Sequence, residues 1–186
     1  MTKVLGISGS LRRGSYNTAL LRAATRLMPA DATLEVASIR GIPLYDGDVE
    51  AQGIPAAVSQ LKEAIVAADG VLLVTPEYNN SIPGVFKNTI DWLSRPPADS
   101  RRVFAGRRFA IIGASPGNWG TVLSQNAWLS VMRTLGTQTW FGGRVMVPRA
   151  NSVFDESGNL KDANVEEQLK QFLAGYVTFL RSAPAR

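Results

Sequence analysis

The chain has 186 residues, 45% of them hydrophobic and 19% charged, which suits one globular domain over 1–186 and leaves little room for a second. It contains neither cysteine nor histidine, which excludes disulfides, thiolate nucleophiles, thiol or imidazole metal ligands and histidine bases, so a bound cofactor is the expected source of difficult chemistry. The formal net charge of +5 suits an anionic ligand, and with no helix-turn-helix, zinc-finger or RNA-binding signature beside the basic residues, nucleic acid is not an expected partner.

The first apolar run, 4–8, is nearly continuous, as in a strand buried on both faces of a parallel sheet. It leads into "SGSLRRGSYN". A helix follows, with Leu20, Ala23 and Leu27 beside a second row of Leu21, Ala24 and Met28. A strand over 34–38 precedes a second helix, where Ile54, Val58, Leu61, Ile65 and Ala68 fall at steps of four and three, with Pro55 in the first turn. After a strand over 71–75, a third helix begins near Pro83 and carries Phe86, Ile90 and Leu93, with Ser81 placed to cap it. The basic stretch 101–108, "RRVFAGRR", reads mainly as a solvated loop before the strand at 109–114. A fourth helix lies within 121–135, a fifth strand spans 145–147, and a last helix carries Val165, Leu169, Phe172, Leu173, Tyr176 and Leu180. No run of about 18 apolar residues or signal peptide occurs, so no membrane contact and a cytoplasmic location are expected. Alternating strands and helices predict an α/β protein, a three-layer α/β/α sandwich on a five-stranded parallel sheet. Such sheets bind ligands at the carboxyl ends of their strands.

The loops at those ends carry the chemistry. The first follows a strand and opens a helix, where free N–H groups and the helix dipole favour an anion. Ser8, Ser10, Ser15 and Asn17 add donors, Arg12 adds a charge-assisted bond, and Gly9 and Gly14 permit close backbone approach. Gly9 and Gly14 have the spacing of a nucleoside-triphosphate loop, but Ser15 stands where its lysine is needed, and G-x-G-x-x-G is missing. The phosphate is therefore held and not transferred. Ser15 is also expected to cap the helix, since both roles use one geometry.

In the second loop, "TPEYNNSIPG", Pro76 stops the strand and Asn79 or Asn80 tolerates unusual turn geometry. This loop either meets the edge of a flat heteroaromatic ring through its backbone or is a turn with Tyr78 capping the core. The third, "ASPGNWG", is glycine-rich, and its Trp119 either shields a ring or packs in the core.

Together "GSLRRGSYN", "PEYNNSIPGVFKNTIDWLSR" and the third loop resemble the NADPH-dependent FMN reductase family, a flavodoxin-like group that includes quinone and chromate reductases. The match runs along nearly the whole chain in order and spacing. The resemblance implies a flavodoxin-like fold that binds FMN without a covalent link. Carried over by position, Ser10, Leu11, Arg12, Arg13, Gly14, Ser15, Tyr16 and Asn17 would hold the phosphate, with Ser10, Arg12, Ser15 and Asn17 foremost. Pro76, Glu77, Tyr78 and Asn79 would border the isoalloxazine, and Ser115 and Gly117 would close its other side. Glu77 is either a hydrogen-bonding partner behind the ring or an exposed loop acid. Family members often carry Gly-Gly where this chain has Gly120-Thr121, a departure that, with Pro116, bears on the shape of the third loop and on nicotinamide access.

The implied reaction is a two-step exchange in which NADPH or NADH passes hydride to the flavin N5 and a small acceptor then takes two electrons. Quinones, chromate, azo compounds and free flavin are candidate acceptors. No side chain is expected to be catalytic and no metal is expected, because the flavin does the chemistry. The family's habit predicts a homodimer or homotetramer with the site near the subunit boundary. The alternatives are a flavodoxin-like electron carrier, a role that typically goes with an acidic surface unlike this one, or an FMN-binding module without turnover.

Overall fold

Strand β1 (Thr2–Ser8) sends Val4 to one face of a parallel sheet and Leu5 and Ile7 to the other, and all three are buried. The structure is a computed structural model and describes residues 1–182. β1 pairs with β2 (Ala32–Ala37) on one side and β3 (Gly70–Val74) on the other, and β3 pairs with β4 (Arg108–Ala114). Beyond β4 lie β5 (Gln138–Thr139) and β6 (Met146–Val147), both parallel to it. The N–H groups of Gln138 and Trp140 donate to Arg107 and Phe109, while those of Gly113 and Ser115 donate to Val145 and Val147. All four contacts use odd-numbered residues of one chain segment, hence one side of β4. β5 and β6 are thus two ends of a single interrupted edge strand, and the sheet has the five positions expected, in the order β2-β1-β3-β4-edge.

The helices, in chain order, are α1 (Tyr16–Leu27), α2 (Gly47–Ala51), α3 (Ala56–Ala67), α4 (Gly84–Leu93) and α5 (Pro97–Phe104). They continue with α6 (Val122–Thr134), α7 (Ala150–Val153) and α8 (Ala163–Arg181). α1, α7 and α8 cover one face, where Leu20, Leu21 and Ala24 meet Leu72, Val74, Leu173 and Tyr176. α3, α4, α5 and α6 cover the other, packing Val58, Ile65, Phe86, Trp92 and Trp128 on Ile7, Leu73 and Phe109. Tyr176 is fully buried with its hydroxyl 3.0 Å from the carbonyls of Val71 and Arg108, and burial pushes its pKa up. Among the described residues no helix is long and apolar enough to cross a membrane.

Two local expectations are corrected. Ser81 does not cap α4, whose cap position is Pro83 without a side-chain bond. Instead Tyr78 and Ser81 exchange backbone hydrogen bonds of 3.1 and 3.0 Å around Asn79 and Asn80, whose φ values of 49° and 60° make the tight two-residue turn that asparagine tolerates. Nor is 101–108 a solvated loop, since it comprises the end of α5, a turn and the start of β4. Arg102 grips Glu63 on α3 through two bonds of 2.9 and 2.7 Å. Arg107 donates to the carbonyls of Arg102 and Val66, and Arg108 to those of Phe179, Leu180 and Ser182. Guanidiniums here satisfy carbonyls at helix ends, which suits their donor-only chemistry.

Candidate active site

The chain runs from β1 outward to β2, then returns past β1 to β3, so the sheet order reverses between β1 and β3. The loops leaving β1, β3 and β4 converge there on a cleft of about 420 Å³, within the usual size of small-molecule sites. Ser10, Arg12, Ser15, Tyr16 and Asn17 line it from the first loop, Pro76, Glu77 and Tyr78 from the second, and Ala114, Ser115 and Pro116 from the third. Of the residues expected at the site, Leu11, Arg13, Gly14, Asn79 and Gly117 fall outside this lining. Leu11 is tied by its carbonyl to Arg40, 2.8 Å away.

The first loop presents backbone donors. Among the described residues, the N–H groups of Leu11, Arg13, Gly14, Ser15, Tyr16 and Asn17 have no internal partner. Such free groups at the start of α1 are the ordinary complement of an anion. Ser15 caps the helix, its Oγ accepting from the Thr18 N–H at 3.3 Å. Arg12 folds back to donate to the Gly14 carbonyl and lies 5.3 Å over the Tyr16 ring, so its charge is held beside the donors. Asn17 is buried, and its amide is partly engaged: it donates to the Ala114 carbonyl at 2.8 Å and accepts from the Ala114 N–H at 2.9 Å. Asn17 therefore fastens the first loop to the end of β4, using its amide oxygen and one of its two amide N–H groups there. Gly9 also answers to packing, because a Cβ there would lie 2.1 Å from the Phe86 ring.

The second loop is pinned from below. Thr75 is fully buried at the end of β3, where its hydroxyl donates to the Pro76 carbonyl and meets Ser124 and Trp128 of α6. Glu77 is not a free loop acid: its carboxylate accepts from the Leu123 and Ser124 N–H groups at 2.8 and 2.9 Å, placing negative charge on the N-terminus of α6. The N–H groups of Glu77 and Asn79 have no internal partner among the described residues, and Tyr78 is half exposed. Just before the third loop, Gly113 of β4 has no room for a Cβ, which would stand 2.2 Å from the Thr75 carbonyl, so the glycine lets β4 approach the start of the second loop. Gly120 has φ +64° and packs on the Met146 carbonyl. Trp119 is 80% exposed, which removes the core reading for it.

Sequence reasoning missed Ala114 and Pro116 as lining residues, although both lie in the motif that placed the third loop. It also missed Arg40 and Arg149, which hold the loops from segments without any motif, and Asn118, which lies within the third-loop motif. A second cavity of about 310 Å³ lies between α6 and the 139–146 excursion, walled by Ile111, Val122, Leu129, Trp140 and Phe141. It shares no lining residue with the anion cradle.

The family model for NADPH-dependent FMN reductases matches residues 2–152. An NAD(P)H-dependent FMN reductase of Pseudomonas aeruginosa is 45% identical over 179 residues, covering 96% of this chain and 95% of the relative. A 2-hydroxy-1,4-benzoquinone reductase of a Burkholderia species is 36% identical over 179 residues, 96% of each chain. The solved flavoenzyme NAD(P)H:(acceptor) oxidoreductase of Paracoccus denitrificans superposes with a TM-score of 0.86 at 30% identity, over 97% of each chain. With this flavodoxin-like sheet, these loops and this coverage, the chain belongs to the NADPH-dependent FMN reductase family.

Proposed function

We propose that the protein is an FMN-dependent oxidoreductase that takes reducing equivalents from NADPH or NADH and delivers them to quinones or similar small oxidants. The observation that carries this reading is the row of free N–H groups at the start of α1, with Arg12 beside it, opening on a cleft bordered by further free N–H groups of the second loop. This donor set fits a phosphate at one end and the acceptor edge of a flavin at the other. Bound FMN supplies the hydride and electron transfer, for which the chain's own side chains have no substitute.

The chain's part is to bind and orient. Ser10, Arg12 and the backbone of 11–17 hold the phosphate, with Leu11, Arg13, Gly14, Ser15, Tyr16 and Asn17 contributing chiefly N–H groups. Pro76, Glu77, Tyr78 and Asn79 border the ring by their backbone, and Ser115 and Gly117 belong to its far wall. Thr75 and Glu77 keep the second loop at fixed distance from α6, so the ring meets a wall that is already ordered. Relatives named as quinone reductases support a small-molecule acceptor. Val122, Leu123, Leu129 and Phe141 are large exposed apolar side chains, which supports a homodimer or homotetramer. A cytoplasmic location goes with the same reading.

The test is optical. The purified protein is mixed with FMN, desalted, and then given NADPH without oxygen. Retained yellow colour that bleaches rapidly is the expected result. Retained colour without bleaching would point to a binding module or carrier, and folded protein that retains no flavin overturns the proposal.

A further inference from the structure

Three non-glycine residues among those described have left-handed backbone: Asn79, Asn80 and Arg149. Asparagine tolerates this region; arginine does so far less readily. Arg149 has φ 47° and ψ 43° and is exposed just after β6, so no burial forces it there. Its carbonyl accepts from the N–H and hydroxyl of Ser152 in α7, while its own donors lead to the third loop. The Arg149 N–H donates to the Gly117 carbonyl at 2.9 Å, and the next N–H, of buried Ala150, donates to the Ser115 carbonyl at 3.1 Å. The Arg149 Nε donates to Asn118 Oδ1 at 3.1 Å. A left-handed residue beside a right-handed one turns successive N–H groups toward a common side. With extended backbone at 149, the two N–H groups would point apart and one of the two carbonyls would lose its partner.

We propose that Arg149 is a positioning residue for the ring wall: its left-handed conformation clamps residues 115–118 into one shape before any ligand arrives. The inference rests on the reading of this cleft as the FMN site. Ser115 and Pro116 line the cleft, so the clamp sets the wall's position from outside the cleft. A wall that is already ordered loses less freedom on binding, and apparent affinity scales with the fraction of molecules in which the clamp is closed.

The test compares Arg149→Val, whose branched side chain opposes left-handed backbone, with Arg149→Asn, which accepts it. Amide exchange of 115–118 is read in the flavin-free protein, FMN affinity by quenching of flavin fluorescence, and thermal unfolding for each variant. The valine variant is expected to exchange faster across 115–118 and to bind FMN about tenfold more weakly, which is about 1.4 kcal/mol. The asparagine variant is expected to restore both. Should the valine variant fail to fold, Arg149→Ala carries the same test with a smaller, roughly threefold, shift. Lowered unfolding temperature with unchanged exchange and affinity would reduce Arg149 to a structural role and overturn the inference. Equal loss in the valine and asparagine variants would overturn it too, by assigning the effect to the guanidinium. If the wild-type protein binds no FMN, the reading of the site fails, yet the exchange of 115–118 still decides the clamp.

Discussion

Arg12 and Gly113 show how differently two site residues are constrained. Arg12 is exposed and held by the Gly14 carbonyl and the Tyr16 ring, so its removal leaves the core untouched. Arg12→Ala is expected to weaken FMN binding by about 1.5–3 kcal/mol, the worth of a hydrogen bond to a charged group, with little change in the urea midpoint. Unchanged affinity in a fluorescence titration would remove Arg12 from the phosphate site. Gly113 is constrained by space: a Cβ would stand 2.2 Å from the Thr75 carbonyl and 2.4 Å from Thr121 Oγ1. Gly113→Ala must push β4 away from the end of β3, and we expect a loss of about 1–3 kcal/mol in urea unfolding. Asn17 was legible as a polar residue at a helix start. Its partner was not, because Ala114 lies 97 positions along the chain.

At the scale of elements, the contacts that hold the site join segments distant in sequence. Asn17 ties α1 to β4, and Glu77 ties the second loop to α6. Asn17→Ala leaves the Ala114 N–H and carbonyl without partners in the interior, and a loss of about 2 kcal/mol or more is expected on chemical denaturation. α3 and α5 are joined by buried Lys62, which bonds the Arg95 carbonyl and, at 2.9 Å, the Asp99 carboxylate. The Lys62 bond holds the Asp99 carboxyl below its usual value. A carboxyl whose folded value is lowered adds stability that is complete above its unfolded value, near pH 4, and is lost as pH falls through the folded value. Asp99→Asn is therefore expected to be less stable than wild type at pH 7 and to lose less stability on acidification below about pH 4. Parallel urea midpoints of the two proteins across that range would contradict it. Helix α5 itself was not legible, since only Val103 and Phe104 of its eight residues are buried and they form no periodic row.

On the scale of the whole molecule, the two apolar clusters share one sheet: Leu72 and Val74 serve one, Val71 and Leu73 the other. Neither side can lose its strands without exposing the other, so we expect residues 1–182 to behave as one domain with a single calorimetric transition; two resolved transitions would contradict this. The sequence by itself determined the alternation of strands and helices, because burial imposes near-continuous runs on strands covered twice and a 3.6-residue period on helices covered once. It also determined which loops carry donors, since glycine, serine and asparagine at strand ends are local choices. Tertiary structure alone decided which of those donors remain free. Asn17 stood foremost among the phosphate donors in sequence and Glu77 was open between two roles, and each meets a backbone that folding brings to it. The split edge strand and the Arg149 contacts were likewise decided there, because a hydrogen bond between remote segments leaves no periodicity in either of them.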